Sequence, residues 1–456
     1  MVRRQNDLGK DDIKLLVRRL AIPSMLAQFV NVLYSIVDRM YIGNIPQVGE
    51  VALAGAGVCG PIVTLISSFA FLVGIGGAPL MAIRMGEDNQ EGAQKILANC
   101  FVMLLALSAA LTGLAIAFRE PMLMFFGASE QTFPYANSYL TYYVMGTVFA
   151  ILTAGLNQFI TCQGFANEAM LTTIIGAVMN IILDPIFIFA LDMGVTGAAI
   201  ATVAGQILAM LYAVYVMVRK EHAVHITFKG FHFSGAIVRD IFQVGFPSII
   251  MQSIGSVMIM ALNNILIVFS QAAVAVLGVY FKLQSFVFMP VFGLGAGALP
   301  IMGFNYGARN KKRLMHTLQL TCAIAFGIML VGLLIFQFGA RYLLMMFNAS
   351  ADMMDIGISA LRTISLCFPA AGLGIAFSNF FQGIGEGKNS LLISVLRQLV
   401  ILLPCAWIIS RIGTLNQVWL AFPIAEVFSF FVSLLLTRIT YNNKIKEMED
   451  FTTDED

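Results

Sequence analysis

The sequence predicts an all-α polytopic membrane protein: twelve transmembrane helices in two six-helix bundles related by a pseudo-twofold axis, with both termini in the cytoplasm. Composition, the spacing of apolar runs and an internal repeat lead there. Of 456 residues, 59% are hydrophobic and 11% are charged, and the mean hydropathy is +0.85. An ordinary soluble domain carries roughly 45–50% apolar and about 25% charged residues. Twelve spans of roughly 20–25 residues take up about 60% of such a chain, which leaves short loops and no room for a soluble catalytic domain. A formal charge of +2, from 27 basic and 25 acidic residues, lacks the concentrated basic surface that a nucleic-acid partner requires.

Apolar runs bounded by charge or by Gly/Pro clusters place the spans at about 20–44, 51–82, 96–118, 134–160, 169–191, 195–218, 241–268, 273–302, 314–340, 353–381, 391–411 and 417–438. With the N-terminus inside, most Lys and Arg residues fall in cytoplasmic segments. The external ends hold only Arg39, Arg119, Arg341 and Arg411, and Lys282, Arg362 and Arg397 lie within spans. The positive-inside rule then puts both termini in the cytoplasm, in a multi-pass protein of the cell inner (plasma) membrane. Met1 to Arg19 is charged from the start, without the apolar stretch and small-residue site of a cleaved leader, so it is expected to stay attached. The six cysteines stand singly with no CxxC pair, which points to packing rather than zinc or thiol exchange.

The two halves repeat each other. Met122 to Ser129 (MLMFFGAS) returns as Leu343 to Ser350 (LLMMFNAS), Ile22-Pro23-Ser24 as Phe246-Pro247-Ser248, and Gln163-Gly164 as Gln382-Gly383. Six helices per half, an even number, insert both halves with the same orientation, so the axis relating them runs along the membrane normal. The divisions expected are an N-lobe over 1–218, a cytoplasmic linker over 219–240 and a C-lobe over 241–456, with a substrate cavity between the lobes.

Several motifs carry less than they suggest. Gly55-Ala-Gly57-Val-Cys-Gly60 matches GxGxxG, but no strand precedes it and it lies inside an apolar helix, where small residues serve close packing. Gly383-Ile-Gly385-Glu-Gly387-Lys388 resembles a phosphate loop with Gln382 in place of the first glycine, and no nucleotide domain follows, so ATP hydrolysis is not expected. His222, His225 and His232 share the linker and read as solvated. Asn348-Ala349-Ser350 is a bare sequon.

Ionisable residues at membrane depth cost at least about 2.5–3.5 kcal/mol each and default to a functional reading. Asp38, Asp184, Lys282, Arg362, Arg397 and Glu426 are the residues concerned. Asn31, Tyr34 and Asp38 form one stripe on the first span, and Asn180 and Asp184 share a face of the fifth. At about 1.5 Å rise per residue, Asp38 lies about 9 Å outward of its span centre, and Asp184 and Thr202 about 6 Å. Three helices thus bring oxygen ligands to similar depths. Pro185 leaves the Ile181 carbonyl without its helical donor, which adds a further oxygen. In the second half Asp38, Asn180 and Asp184 meet Leu262, Leu399 and Leu403. The scaffold therefore folds without these polar groups, which favours an ion site over a bracing network. Lys282, Arg397 and Glu426 form a second charged set, in which Glu426 is expected to pair with at least one cation, as a brace or as a gate.

With these residues in view, the sequence resembles the multidrug and toxic compound extrusion (MATE) family over essentially the whole chain. Its matching segments are Leu20-Ala-Ile-Pro23, Val37-Asp38-Arg39-Met40-Tyr41-Ile42-Gly43, Asn180-Ile-Ile-Leu-Asp184-Pro185, Gly194-Val-Thr-Gly-Ala198-Ala199-Ile-Ala-Thr202 and Gly303-Phe-Asn305-Tyr306-Gly307-Ala-Arg-Asn310. The resemblance implies a V-shaped pair of bundles, most simply a monomer without cofactor or ATP, that exports small lipophilic cationic drugs through the lipid membrane in exchange for inward H⁺ or Na⁺. It implies a coupling site at Asp38, Asn180, Asp184 and Thr202 with the Ala198 main chain nearby, and cavity residues Tyr34, Tyr139 and Asn157. Members with an acidic pair on helices 7 and 10 have no counterpart here, since Leu262 to Asn264 offers asparagines. A flippase of lipid-linked oligosaccharide or cell-wall precursor is the alternative, and it would need several basic residues facing the cavity to hold a pyrophosphate. No nucleophile, base and oxyanion constellation points to an enzyme.

Overall fold

The computed structural model describes residues 6–218, 224–227, 232–347 and 349–448, and among these every regular element is helical. His222 and Asn348 lie outside the described residues. In chain order the helices are α1 (Ile13–Gly43), α2 (Gly49–Gly86), α3 (Gln90–Ala117), α4 (Arg119–Phe125), α5 (Phe133–Met145), α6 (Thr147–Cys162), α7 (Ala166–Pro185), α8 (Gly194–Val218), α9 (Gly235–Leu266), α10 (Gln271–Gly307), α11 (Lys311–Met345), α12 (Ala351–Ser365), α13 (Phe368–Gly383), α14 (Gly387–Val395), α15 (Leu403–Ile412), α16 (Leu415–Val418) and α17 (Ala421–Thr440). Three π-helical stretches, Ile186–Ala190, Leu396–Leu402 and Tyr441–Ile445, adjoin α7, α14 and α17.

Among the described residues ten helices, each run of α and π turns counted once, are long and apolar enough to cross a membrane. Where the sequence predicts single spans at 134–160 and 353–381, the structure has bent pairs instead: α5 and α6 meet at 57°, α12 and α13 at 49°. The count reaches twelve if each bent pair is one span. The first bend falls at Gly146, where a Cβ would stand 2.7 Å from Val203 Cγ1. The second falls at Leu366 and Cys367, ahead of a proline in the first turn of α13, a position where its missing N–H costs nothing. The bends keep the repeat, because Gly146 and Cys367 stand at the offset that relates Met122 to Leu343. So do the left-handed turn glycines Gly164 (φ +88°) and Gly385 (φ +79°).

Several helices begin earlier than their apolar runs, since polar residues cap them before the hydrocarbon stretch. Asn89 Oδ1 accepts from Gly92 N at 2.8 Å, Ser270 Oγ from Ala273 N at 3.1 Å and Asn310 Oδ1 from Arg313 N at 3.1 Å. The GxGxxG segment sits within α2, where a Cβ on Gly55 would lie 2.9 Å from Tyr135 Cβ on α5. It is a helix-packing surface.

By packing, the described residues fall into two compact units. The first comprises residues 6–7 and Leu26–Phe246, and the second Leu8–Met25 and residues 247–448. A cut at 218–241 gives all of α1 to the first half, whereas these contacts give its opening turns to the second unit. There Arg313 Nη2 donates to Asp11 O at 2.7 Å, Asn305 Nδ2 donates to Leu8 O at 3.1 Å, and a Cβ on Gly297 of α10 would meet Ala21 N at 2.6 Å. A chain passing that close to a helix requires glycine.

Candidate functional site

In the first unit α1, α7 and α8 bring together the residues singled out in the sequence. Helices α7 and α8 touch backbone to backbone, since a Cβ on Gly205 would lie 2.6 Å from Gly176 O. That approach sets Asn180 and Asp184 of α7 against Thr202 of α8. The amide of Asn180 satisfies both neighbours when its nitrogen donates to Asp184 Oδ2 (3.2 Å) and its oxygen accepts from Thr202 N (3.3 Å). The Thr202 hydroxyl donates to Ala198 O at 3.0 Å. Asp184 is 0% exposed, Asn180 2% and Thr202 7%.

Asp38 of α1 completes the set. Its carboxylate lies within hydrogen-bonding reach of that of Asp184, yet among the described residues its buried Oδ1 receives no hydrogen bond. Two carboxylates in a low-dielectric setting do not both stay ionised and uncompensated: they share a proton or hold a cation between them. The oxygens of Asp38, Asp184 and Asn180, with the Thr202 hydroxyl, make a hard donor set suited to Na⁺ as well as to a proton. Pro185, which ends α7 before the π-helical turn, offers no N–H to Ile181 O, so the carbonyl beside this group lacks that donor.

A cavity of about 300 Å³ opens beside Asp38, with Tyr34, Arg39, Tyr139, Tyr143 and Thr202 on its wall. The Tyr139 and Tyr143 rings stack at 6.1 Å with 12° between their planes, and so present one flat aromatic surface. Tyr34 and Tyr139, both expected to line a substrate cavity, are on the wall of this one. Asn157 does not line this cavity, although its Oδ1 is buried; it sits on α6, which contributes no wall residue. Asn31, on the stripe with Asp38, is exposed. Tyr143 and Arg39 were missed, although the i,i+4 spacing from Tyr139 and adjacency to Asp38 were signals for both.

The charged set of the second half divides. Arg397 Nη1 lies 3.6 Å from Glu426 Oε1, and both residues line a separate cavity in the second unit. Lys282 does not join them: it is exposed, its ammonium 5.9 Å from the Phe347 ring centroid. The expected pairing of Glu426 with at least one of the two cations is made by Arg397 alone.

A family model described as MatE matches residues 23–186 and 247–408. The multidrug export protein MepA of Staphylococcus haemolyticus (strain JCSC1435) is 23% identical over 416 residues, covering 91% of both chains, and that of Staphylococcus aureus (strain MSSA476) is 22% identical over 417 residues at the same coverage. Among solved structures, an outward-facing multidrug resistance MATE family transporter of the MOP superfamily superposes with a TM-score of 0.90 at 28% identity, over 97% of this chain and 100% of that one. A MOP superfamily transporter from Pyrococcus furiosus Vc1 (DSM3638), whose binding pocket has a reverse polarity that suggests a different function, gives 0.90 at 28% identity over 98% and 100%.

Proposed function

The chain belongs to the MatE family, a multi-pass membrane transporter of small molecules and not an enzyme, and from that premise we propose that it is a secondary active multidrug exporter. It expels lipophilic, cationic compounds from the cytoplasm across the inner (plasma) membrane in exchange for inward H⁺ or Na⁺, as a monomer and without ATP. The observation that carries this reading is the Asp38–Asp184 pair, with the buried Asp38 Oδ1 turned to no donor and the cavity of Tyr34, Tyr139 and Tyr143 beside it. A cationic guest lies against the aromatic wall and is held by an ionised carboxylate. A proton or Na⁺ entering the pair removes that charge, so ion and guest compete for one site, which is the requirement for exchange. With both termini cytoplasmic the pair lies in the outer half of the membrane. Inward movement of one charge then gains about 2.3 kcal/mol per 100 mV.

The basic residues on the two cavity walls support this reading over a pyrophosphate flippase. Arg39 adjoins Asp38 and Arg397 faces Glu426, so neither cavity gathers several free cations on one anion. The test is dye efflux from proteoliposomes under separately imposed H⁺ and Na⁺ gradients. Asp38→Asn and Asp184→Asn are each expected to abolish gradient-driven efflux while leaving drug binding measurable, and undiminished efflux by either variant overturns the proposal.

A further inference from the structure

The second unit holds a cavity of about 220 Å³ that the exchange scheme leaves without a task. This is below the roughly 300–1,000 Å³ typical of pockets for drug-sized ligands. Its wall includes the aromatic rings of Tyr280, Phe281, Phe288, Phe292 and Phe422. Set into that wall is one ion pair held by a single contact, Arg397 Nη1 to Glu426 Oε1 at 3.6 Å. The guanidinium is therefore not engaged in the two-pronged geometry it prefers with a carboxylate. Glu426 Oε2 is buried and, among the described residues, receives no hydrogen bond. Arg397 lies in the π-helical stretch Leu396–Leu402 and lines the cavity together with its neighbour Gln398. Such widened turns are frequent at binding sites.

We propose that this cavity binds a compact zwitterion, an α-amino-acid-like molecule with an aromatic or aliphatic body, whose carboxylate takes the free face of Arg397 and whose ammonium takes the Glu426 carboxylate. Charge selects the class. The wall carries one positive and one negative group, so a monocation or a monoanion entering it leaves a net charge buried, whereas a zwitterion leaves both wall groups compensated. The two wall charges are close together, which matches an ammonium and a carboxylate on one carbon. This inference builds on the exporter reading only in treating the chain as a small-molecule carrier.

The experiment is equilibrium binding to the full chain in nanodiscs with no gradient, so it succeeds or fails independently of coupled efflux. The probes are radiolabelled L-phenylalanine, its methyl ester (ammonium only) and its N-acetyl derivative (carboxylate only). Saturable binding of L-phenylalanine at least tenfold tighter than either derivative is expected. Glu426→Gln should remove the preference over the N-acetyl compound, and Arg397→Gln the preference over the ester. Ser285→Phe, which fills the cavity from its wall and leaves the pair intact, should abolish binding, and Asp38→Asn should leave it unchanged. No saturable L-phenylalanine binding by the unsubstituted protein, derivatives binding within threefold of it, or full binding by Ser285→Phe overturns the proposal.

Discussion

Asp38→Asn should stop coupled transport and at the same time make the protein more stable. The carboxylate of Asp38 has a buried Oδ1 that receives no hydrogen bond and a second carboxylate, Asp184, within hydrogen-bonding reach. A buried acceptor left without a donor costs about 1–3 kcal/mol, and the like charge alongside adds to that when both groups are ionised. Asparagine has nearly the same shape, carries no charge and supplies an N–H that Asp184 can accept. The expected gain is therefore about 1–3 kcal/mol, or on the order of 1–5 °C in Tm for a chain of this length. The penalty belongs to the ionised pair. As pH falls and the pair takes up a proton, the unsubstituted protein loses the penalty, and the Tm gap to Asp38→Asn should close. Thermal unfolding in sodium-free detergent at pH 8 and pH 5 measures it. Added Na⁺ at about 100 times its dissociation constant would stabilise the unsubstituted protein by about 2.7 kcal/mol if the pair binds that ion, and would leave Asp38→Asn unmoved. A lower Tm for Asp38→Asn at pH 8, or a gap that widens in acid, refutes the reasoning.

Three further outcomes follow from the packing. Gly205→Val places methyl groups where a Cβ alone would be 2.6 Å from Gly176 O, so it should cost roughly 1–3 kcal/mol and separate Thr202 from Asn180, read as a lower Tm together with lost efflux. Arg313→Ala removes the bonds to Leu8 O and Asp11 O and should cost on the order of 2–3 kcal/mol, with faster tryptic cleavage between Lys10 and Arg19 as its signature. Lys282→Ala gives up only an exposed contact with the Phe347 ring, worth about 0.5–1 kcal/mol, and should leave both Tm and efflux close to those of the unsubstituted protein; loss of efflux would return Lys282 to the transport machinery.

Much of this was legible in the sequence because a membrane makes charge conspicuous. Asp38 and Asp184 stand out as carboxylates within apolar runs, and the four-residue spacing of Asn180 and Asp184 puts them on one face of a helix. Direction around a helix was harder to read than depth along it. Lys282 and Arg397 both fall within apolar runs, yet only Arg397 lies beside Glu426. Asn31 lies on the stripe of Asp38, but about 10 Å further along the axis, and is exposed. The bends at Gly146 and Cys367 carry no charge to mark them, since an apolar run reads as unbroken whether or not its axis turns. The assignment of Leu8–Met25 to the second unit rests on close contacts with α10 and α11, which no local pattern within α1 could reveal.

The repeat and the charges together explain how one scaffold acquires two different cavities. Backbone features recur in both halves: the bent pairs, the left-handed glycines after α6 and α13, and the Pro-Ser steps at residues 23 and 247. The charged and polar groups at the two cavities do not recur. Asp184 and Asn180 correspond to leucines, while Arg397 corresponds to Val178 by the same offset of 219. An apolar residue at the matching site shows that neither polar set is needed to build the helices, so each is free to be specified by what its cavity holds. Two like charges in close reach cannot be satisfied internally and require something from outside the protein, a proton or a cation. An opposite pair joined by a single 3.6 Å contact is neutral overall, leaves Glu426 Oε2 without a donor among the described residues, and admits only a guest that leaves both charges matched. The first arrangement suits a site that must change occupancy in every cycle, and the second a site that selects by charge pattern.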